Sequence, residues 1–465
     1  MTGIEAKTPY PSLAELSDAY RAGTLRPSTV ARAHLDRIER LDPKIGAFQA
    51  VYAEDAMALA DAADKTISAG SWLGPLHGVP IGLKDICDIA GRVTTWGSKA
   101  LEGRVAETTG TLTQRLISAG AIILGKTKTV EFALGGWGTN QRMGTPWNPW
   151  DMATHRVPGG SSSGTGAGVA AGLVPCGVGT DTGGSVRLPA AYCGLVGLKV
   201  TEGRLPTDGI MPLSHTLDTP GPMARSVEDA LTFFLAMDGV AGSLIASSRR
   251  DRSGLYGALD AGVAGLRLGV LDDAERRTCT PDVLDAYDAA LERLRALGAE
   301  TEVFRPEADF ARLTAACGEL ISAEGYAHHR RLVDRDDLPL DADVRDRMVA
   351  GRGISAADYL DMTARRTEHS ARFLASLNGI DALVTPTARE TAPPLSDITQ
   401  AIAPSHFTRV ANYFGLCALA LPSGLSRGLP TSLQVVARPH DEAMALRIGA
   451  AFEAASPRLT YPDFA

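Results

Sequence analysis

Three stretches of the chain carry residue types that can act on a carbonyl together. "GLKD" holds Lys84, "PGGSSSGTGAG" (158–168) holds Ser161, Ser162 and Ser163, and "GTDTGGSVRLPAA" (179–191) holds Ser185. A serine hydroxyl is a weak nucleophile and needs a base beside it. A lysine can be that base where burial disfavours its ammonium and brings its pKa toward working pH. Lys84 follows the apolar run "GVPIGL", where such burial can occur. It can equally pair with Asp85 or Asp88, and the residues alone leave these two readings even.

Other readings of the glycine-serine tracts meet obstacles. A flexible linker would not run straight into the apolar "AGVAAGLVPCGVG". A dinucleotide-binding loop starting at Gly177 would need glycine where Thr182 stands, and no GK[ST] follows either tract as a phosphate-binding loop requires. Gly160 to Gly164 does match G-x-S-x-G, the nucleophile elbow of serine hydrolases, with Ser162 as nucleophile and a histidine as base. That elbow needs a strand directly before it, and "NPWDMATHRVPG" is polar and broken by proline.

The elements that must hold these residues read as alternating helix and strand. "SLAELSDAYRAG" and 28–42 have helical apolar spacing, with Ser28 as an N-cap, and a third helix covers 54–68. The run 77–91 is short, apolar and bounded by turns, which suits a buried strand leaving into a loop. A helix over 111–118 passes through Gly120 into the strand "AIILGKT", and the cadence recurs at 163–172 before "LVPCGVGTD". Further pairs are 226–237 with 266–271, and 281–297 with "GAETEVF". The last strands are 381–387, "CALALPSG" and "TSLQVVARP", followed by the helix "DEAMALRIGAAFEAA".

Bulk properties narrow the function classes. The chain has 465 residues, 45% apolar and 22% charged, a globular profile with ample core material. Its net charge of −8 argues against a nucleic-acid-binding surface. The six cysteines show no CxxC pairing and read as reduced, buried thiols of a cytoplasmic protein. The histidines form no HExxH, and His328-His329 reads as solvated on a charged helix, so no metal is expected. The first residues lack a basic-then-apolar leader, and no run is long enough to span a membrane. Glycine- and arginine-rich 240–262 is a candidate boundary, but apolar strands on both sides favour one interleaved domain.

These three elements together resemble the amidase signature family, whose members hydrolyse C–N amide bonds with a Ser–Ser–Lys triad. The family pattern, GGSS(G/S)G followed by GTDTGGS(I/V)R-PAA-CG--GLKPT, is met by "GGSSSGTGAGVAAGLVPCGVGTDTGGSVRLPAAYCGLVGLKVT", with Val200 in place of the last proline. Ser161 and Ser185 stand 24 positions apart, as that pattern expects. "GVPIGLKD", "EFALGGWGTNQRMGTPWNPWD" and "GLPTSLQVVARPHDEAMALRIGAAFE" are similar to the family's lysine strand, pocket segment and C-terminal strand and helix. The resemblance runs from about residue 13 to 452 and is weakest over 240–380.

The resemblance implies an α/β fold: a single large domain whose mixed central sheet is flanked by helices on both faces. Its parts would be N-terminal helices over 12–69, a catalytic core over 75–240, a variable middle over 241–380 and C-terminal strands and helix over 381–455. Ser185 becomes the acyl-forming nucleophile, Lys84 the ultimate base and Ser161 the bridge between them, set on a cis peptide. Ser162 and Ser163 would then serve a helix start, satisfying its free N–H groups. The two glycines ahead of Ser185 turn the backbone N–H groups of Thr182, Gly183, Gly184 and Ser185 to one point, as an oxyanion hole. Asp181 and Arg187 read as a buried pair holding that loop, not as acid and base.

The implied substrate is a small-molecule amide, with no cofactor, no nucleic-acid or membrane partner, and a homodimer as the assembly left open. Leu134, Gly135, Trp137, Met143 and Ile210 are the substrate-contact candidates, joined by Met211, His215 and the segment 317–326. Trp137 and Met143 can equally be ordinary core, and His215 a structural loop residue. Two alternatives stay open: an amidotransferase component working with partner chains, and an esterase built on Ser162.

Overall fold

The computed structural model describes residues 11–306, 309–462 and 464. Residues 1–10, which contain the start of the segment read for a leader, lie outside this set. Helices α1 (Leu13–Arg21) and α2 (Pro27–Ile45) precede strand β1 (Phe48–Val51), and α3 (Ala53–Ser68) leads to β2 (Pro80–Lys84). Then come α4 (Thr111–Ser118) and β3 (Ile122–Thr127). The glycine-rich tract folds as α5 (Ser163–Ala170), β4 (Cys176–Asp181) and α6 (Arg187–Cys193), followed by β5 (Val196–Lys199), β6 (Thr219–Ala224) and α7 (Val227–Met237). The region first read as a boundary forms α8 (Gly242–Asp251) and α9 (Leu255–Leu259), with β7 (Arg267–Val270) and α10 (Asp273–Arg276) next. After α11 (Pro281–Ala296) and β8 (Glu300–Val303), helices α12 (Phe310–Val333), α13 (Ala342–Val349) and α14 (Ala356–Ser376) lead to β9 (Ala382–Pro386). The last elements are α15 (Arg409–Tyr413), β10 (Cys417–Ser426), β11 (Leu429–Ala437) and α16 (Glu442–Ala454).

All eleven strands join one sheet in the order β1-β3-β2-β4-β6-β5-β10-β11-β9-β7-β8. β2 lies parallel between β3 and β4, while β6, β5, β10 and β11 run antiparallel to their neighbours, so the sheet is mixed. Successive residues of β3 point to opposite faces. Ile123 packs into one core cluster with Leu112 and Leu116 of α4, and Ile122 and Leu124 into another with Ala167 of α5 and Leu35 of α2. Helices therefore cover both faces, as the resemblance implies.

Two local readings need correction. The helix after Arg26 begins at Pro27, with no side-chain cap, because proline supplies a preset first-turn φ. Ser28 instead gives its N–H and hydroxyl to Asp64, tying α2 to α3. β6, "TPGPMA", carries two prolines and is a strand that no sequence pattern above assigns. It survives inside the sheet because β5 pairs only with its end, at Met223 and Ala224, where no proline must donate. His329 also departs from expectation: it is buried, stacked 4.8 Å from Phe132, with Nε2 2.8 Å from the Pro212 carbonyl oxygen.

α5 sits on β1 and β3 so closely that Gly164 has no room for a side chain. A β-carbon there would stand 2.2 Å from the Ala47 carbonyl oxygen and 2.4 Å from the Lys128 nitrogen. Gly164→Ala is expected to lower stability by about 2 kcal/mol or more, since backbone must move on both sides. A urea midpoint unchanged from the parent protein would contradict this.

Candidate active site

The site forms where β2 and β4 end side by side, the position at which parallel strands of open sheets present their residues to ligands. Lys84 is the last residue of β2, and its carbonyl accepts from the N–H groups of Ile86 and Cys87, which turns the chain away. Its side chain is fully buried, with Nζ 2.8 Å from Ser161 Oγ and 2.7 Å from Thr180 Oγ1. The carboxylates beside it in sequence go elsewhere: Asp85 lies 3.5 Å from Lys126 and Asp88 is paired with Arg104 at 2.8 Å. Burial pushes the Lys84 ammonium down to about 7, against the pull of Cys87, Asp218 and Asp181.

The Gly160–Ser161 peptide bond is cis. Ser161 is buried, and its carbonyl accepts from Val130 N at 3.1 Å and Thr129 Oγ1 at 3.0 Å. Gly160 donates to the Gly136 carbonyl at 2.8 Å, and a β-carbon on Gly160 would stand 2.4 Å from the Gly135 carbonyl oxygen. Gly135 and its neighbours thus form the bed for the serine loop. The Ser185 carbonyl in turn accepts from Ser162 N at 3.3 Å, which brings the two serine loops together. Ser185 retains 8% exposure, whereas Lys84 and Ser161 retain none.

The surroundings of Ser162 do not have the geometry of a nucleophile elbow. No strand precedes it, and its hydroxyl is locked on the Thr180 backbone, 3.3 Å from the carbonyl oxygen and 3.2 Å from the nitrogen. That also removes it from the helix-capping role expected of it. Ser163 does not cap either: its hydroxyl is buried without a hydrogen-bond partner among the described residues.

The Ser185 loop is shaped by a buried ion pair, as expected. Asp181 and Arg187 are fully buried and bonded at 2.9 and 3.0 Å. Burial alone would raise the Asp181 carboxyl, but Arg187, Lys199 and Asn412 hold it below the usual carboxylate range. Arg187 also donates to Gln434 Oε1, Asn412 Oδ1 and the Thr408 carbonyl. Asp181 corrects one member of the predicted N–H group. Gly184 N–H donates to Asp181 Oδ1 at 2.7 Å and is not free, while those of Thr182, Gly183 and Ser185 have no protein acceptor among the described residues. Gly184 is needed for its φ of +126° and because a β-carbon would stand 2.3 Å from Thr408 Oγ1.

A cavity of about 80 Å³ lies beside this arrangement, lined by Thr180, Thr182, Ala133, Ile210, His215 and Asp218 among others, though not by Lys84, Ser161 or Ser185. Ile210, Met211 and His215 all line this cavity. Trp137 does not: its ring stacks 6.3 Å from Tyr192 in a separate core cluster, with Nε1 donating to the Thr399 and Ile402 carbonyls. Met143 lies away from the cavity, with Sδ 3.9 Å from Thr95 Oγ1, and Leu134 uses its carbonyl to accept from Arg347. Residues 317–326 belong to α12, whose Ile321 reaches the Gly183 backbone. Glu319 of that segment lines a larger cavity of about 450 Å³ between α12, α14 and α15, to which neither Lys84 nor the serines of the two loops contribute.

Thr180 and Asp218 are functional neighbours the sequence reading passes over. Asp218 accepts from Thr182 Oγ1 and from Leu213 and Ser214 N–H, and burial pushes its carboxyl up to about 6 despite those bonds. Thr180 had a detectable signal, being one residue before Asp181 in a strand that must end beside Lys84. Asp218 lies 34 positions beyond Gly184 on another strand's approach, with no spacing to betray it. Among the described residues no three His, Cys, Asp or Glu side chains gather as metal ligands, and no helix is long and apolar enough to cross a membrane.

Comparison with known proteins places this fold in an amide-hydrolysing class. The Amidase family profile matches residues 29–446. A 2-amino-5-chloromuconic acid deaminase from Comamonas testosteroni is 36% identical, covering 89% of each chain. One of the subunits of the glutamyl-tRNA(Gln) amidotransferase from Geobacter metallireducens is 36% identical over 95% of this chain and 96% of its own. The peptide amidase from Stenotrophomonas maltophilia superimposes with a TM-score of 0.83 at 29% identity, covering 99% of both. The chain belongs to the amidase signature family and is an amide-hydrolysing enzyme.

Asp181→Asn would leave Arg187 buried without its carboxylate, at an expected cost of about 3–5 kcal/mol. Stability equal to the parent protein in urea unfolding would refute the bracing role assigned to this pair.

Proposed function

We propose that the chain cleaves the C–N bond of a small amide through an acyl-enzyme on Ser185, releasing ammonia or an amine. The observation that carries this reading is the 2.8 Å contact between Lys84 Nζ and Ser161 Oγ, with both groups out of solvent. A neutral Lys84 has a lone pair to accept the Ser161 proton while Ser161 takes that of Ser185. Ser185 Oγ then bonds to the carbonyl carbon, and the resulting oxyanion is met by the N–H groups of Thr182, Gly183 and Ser185. Each such donor is worth about 2.7–4 kcal/mol to a transition state. When the tetrahedral centre collapses, the C–N bond breaks and the proton returns through Ser161 to the departing nitrogen. That delivery is essential because an amide anion is a very poor leaving group. Water then adds to the acyl-enzyme by the same proton route, freeing the carboxylic acid and Ser185.

Relatives of this chain act as a deaminase, as a peptide amidase and as part of an amidotransferase, so the test must cover several amide classes. Purified chain is to be screened for ammonia or amine release from aliphatic, aryl and urea-like amides, with Ser185 acylation followed by mass spectrometry. Ser185→Ala and Lys84→Met should each lose at least about 10⁴-fold in kcat. Ser162→Ala should lose far less. Activity appearing only when partner chains are added would move the protein to the amidotransferase reading, and labelling at Ser162 would restore the elbow.

The pH dependence follows from the depressed lysine. Below about 7 Lys84 is ammonium and cannot accept a proton, and above it the amine is free. The rate constant kcat/KM should therefore rise with pH to a plateau, with an apparent pKa close to 7. For stability the sign is the same: between that value and the ordinary lysine pKa the unfolded chain binds the extra proton, so stability gained from this group rises with pH. A rate profile flat from pH 5 to 8 would sink the assignment of Lys84 as base.

A further inference from the structure

Arg409, the first residue of α15, is a cation with no acid to meet it. Its side chain lies along the nucleophile loop: a β-carbon on Gly183 would stand 3.3 Å from Arg409 Cγ and 3.4 Å from Nε. On its other side a β-carbon on Gly318 of α12 would stand 2.8 Å from Nη1. Both glycines thus make room for this one guanidinium. Nη1 donates to the Thr314 carbonyl at 3.0 Å, while Nε is buried with no acceptor. No carboxylate forms an ion pair with Arg409 among the described residues, and burial depresses its pKa with Cys317 alone pulling the other way. Arg187, one loop away, shows the ordinary solution, a buried arginine matched by Asp181. A buried guanidinium N–H left without an acceptor costs free energy unless a ligand supplies one.

A second guanidinium is held near it. Arg347 of α13 donates from Nη2 to the Leu134 carbonyl at 2.9 Å and from Nε to the Asp343 carbonyl at 3.0 Å. Nη2 lies 3.7 Å from where a β-carbon of Gly135 would be, so it stands on the bed of the Ser161 loop. Asp341 and Asp343 offset part of its charge, and the charge of Arg409 acts against it. Like charges gathered beside a reaction centre, one of them without any acid, mark a place where an anion belongs.

We propose that Arg409, assisted by Arg347, is a subsite for a carboxylate on the substrate, so that the preferred substrates are half-amides whose other end is a carboxylic acid. A guanidinium fork suits a carboxylate by paired N–H···O bonds, and the free Nε of Arg409 supplies one of them. This inference rests on Ser185 being the acylated residue, and the experiment separates the two.

Succinamate and glutaramate are to be compared with butyramide and valeramide, the same chains ending in methyl. The parent enzyme should prefer the carboxylates by about 100-fold or more in kcat/KM, and Arg409→Met should bring that ratio down by a similar factor. Arg409→Lys should fall between, keeping charge but losing the fork. Succinate should inhibit the parent enzyme competitively, a measurement that needs no variant to fold. A ratio near one in the parent enzyme, or a ratio unchanged by Arg409→Met, overturns the subsite. If Ser185 is still labelled by a fluorophosphonate in that case, the acyl-enzyme reading stands without it. Absence of that label together with no turnover of any of the four amides removes both.

Discussion

The burial of one amine, Lys84, away from any carboxylate partner among the described residues, is the constraint around which this site is built. Lys84 has full burial to depress its pKa, and burial acts only if no carboxylate is close enough to repay the ammonium. The chain places Asp85 directly after it, but strand alternation turns that side chain to the opposite face, where Lys126 takes it. Asp88 is drawn off by Arg104. Asp181 and Asp218 remain within field range, yet their oxygens are committed to Arg187, Thr182 and backbone N–H groups. Lys84 is left with two hydroxyl partners, Ser161 and Thr180, which suit a neutral amine as well as a charged one.

The second requirement is that Ser185 and its N–H groups be held without help from regular secondary structure. The Asp181–Arg187 pair does this from below, but its reach matters more than its strength. Arg187 bonds to Thr408, Asn412 and Gln434, so segments more than two hundred residues downstream brace a loop made in the first half of the chain. A buried pair of this kind adds little net stability and much to the definition of one conformation. Gly184 shows the cost of that definition: its N–H is consumed by Asp181, leaving three donors around Ser185 where sequence suggests four.

Much of this was legible beforehand, and the exceptions have identifiable causes. Helix-glycine-strand units such as 111–127 and 163–181 were readable because periodicity and glycine punctuation are local. β6 was hidden by its prolines, whose acceptability depends on how little of that strand β5 covers. Ser28 looked like a cap because its type fits one, while Pro27 ahead of it set the true start. Trp137 was an open choice between pocket and core, and the carbonyls of Thr399 and Ile402 decide for core. Helices α12 to α14 lay in the segment where the resemblance is weakest, and they bring Ile321, Arg347 and the glycine that admits Arg409.

From the sequence alone came the chemistry: a lysine at the end of an apolar strand, two serines at a fixed separation in glycine-rich turns, and an acid–arginine pair around the second. These follow from residue type and short-range spacing, which a linear reading can reach. Tertiary structure alone decided which groups meet. It gave Lys84 to Ser161 and Thr180 and not to its neighbouring acids, tied the Ser162 hydroxyl and the Gly184 N–H to backbone and Asp181, and set Arg409 beside the Ser185 loop with no acid partner among the described residues. The reason is that burial and hydrogen-bond partnership are properties of packing between distant segments, and no local pattern records them.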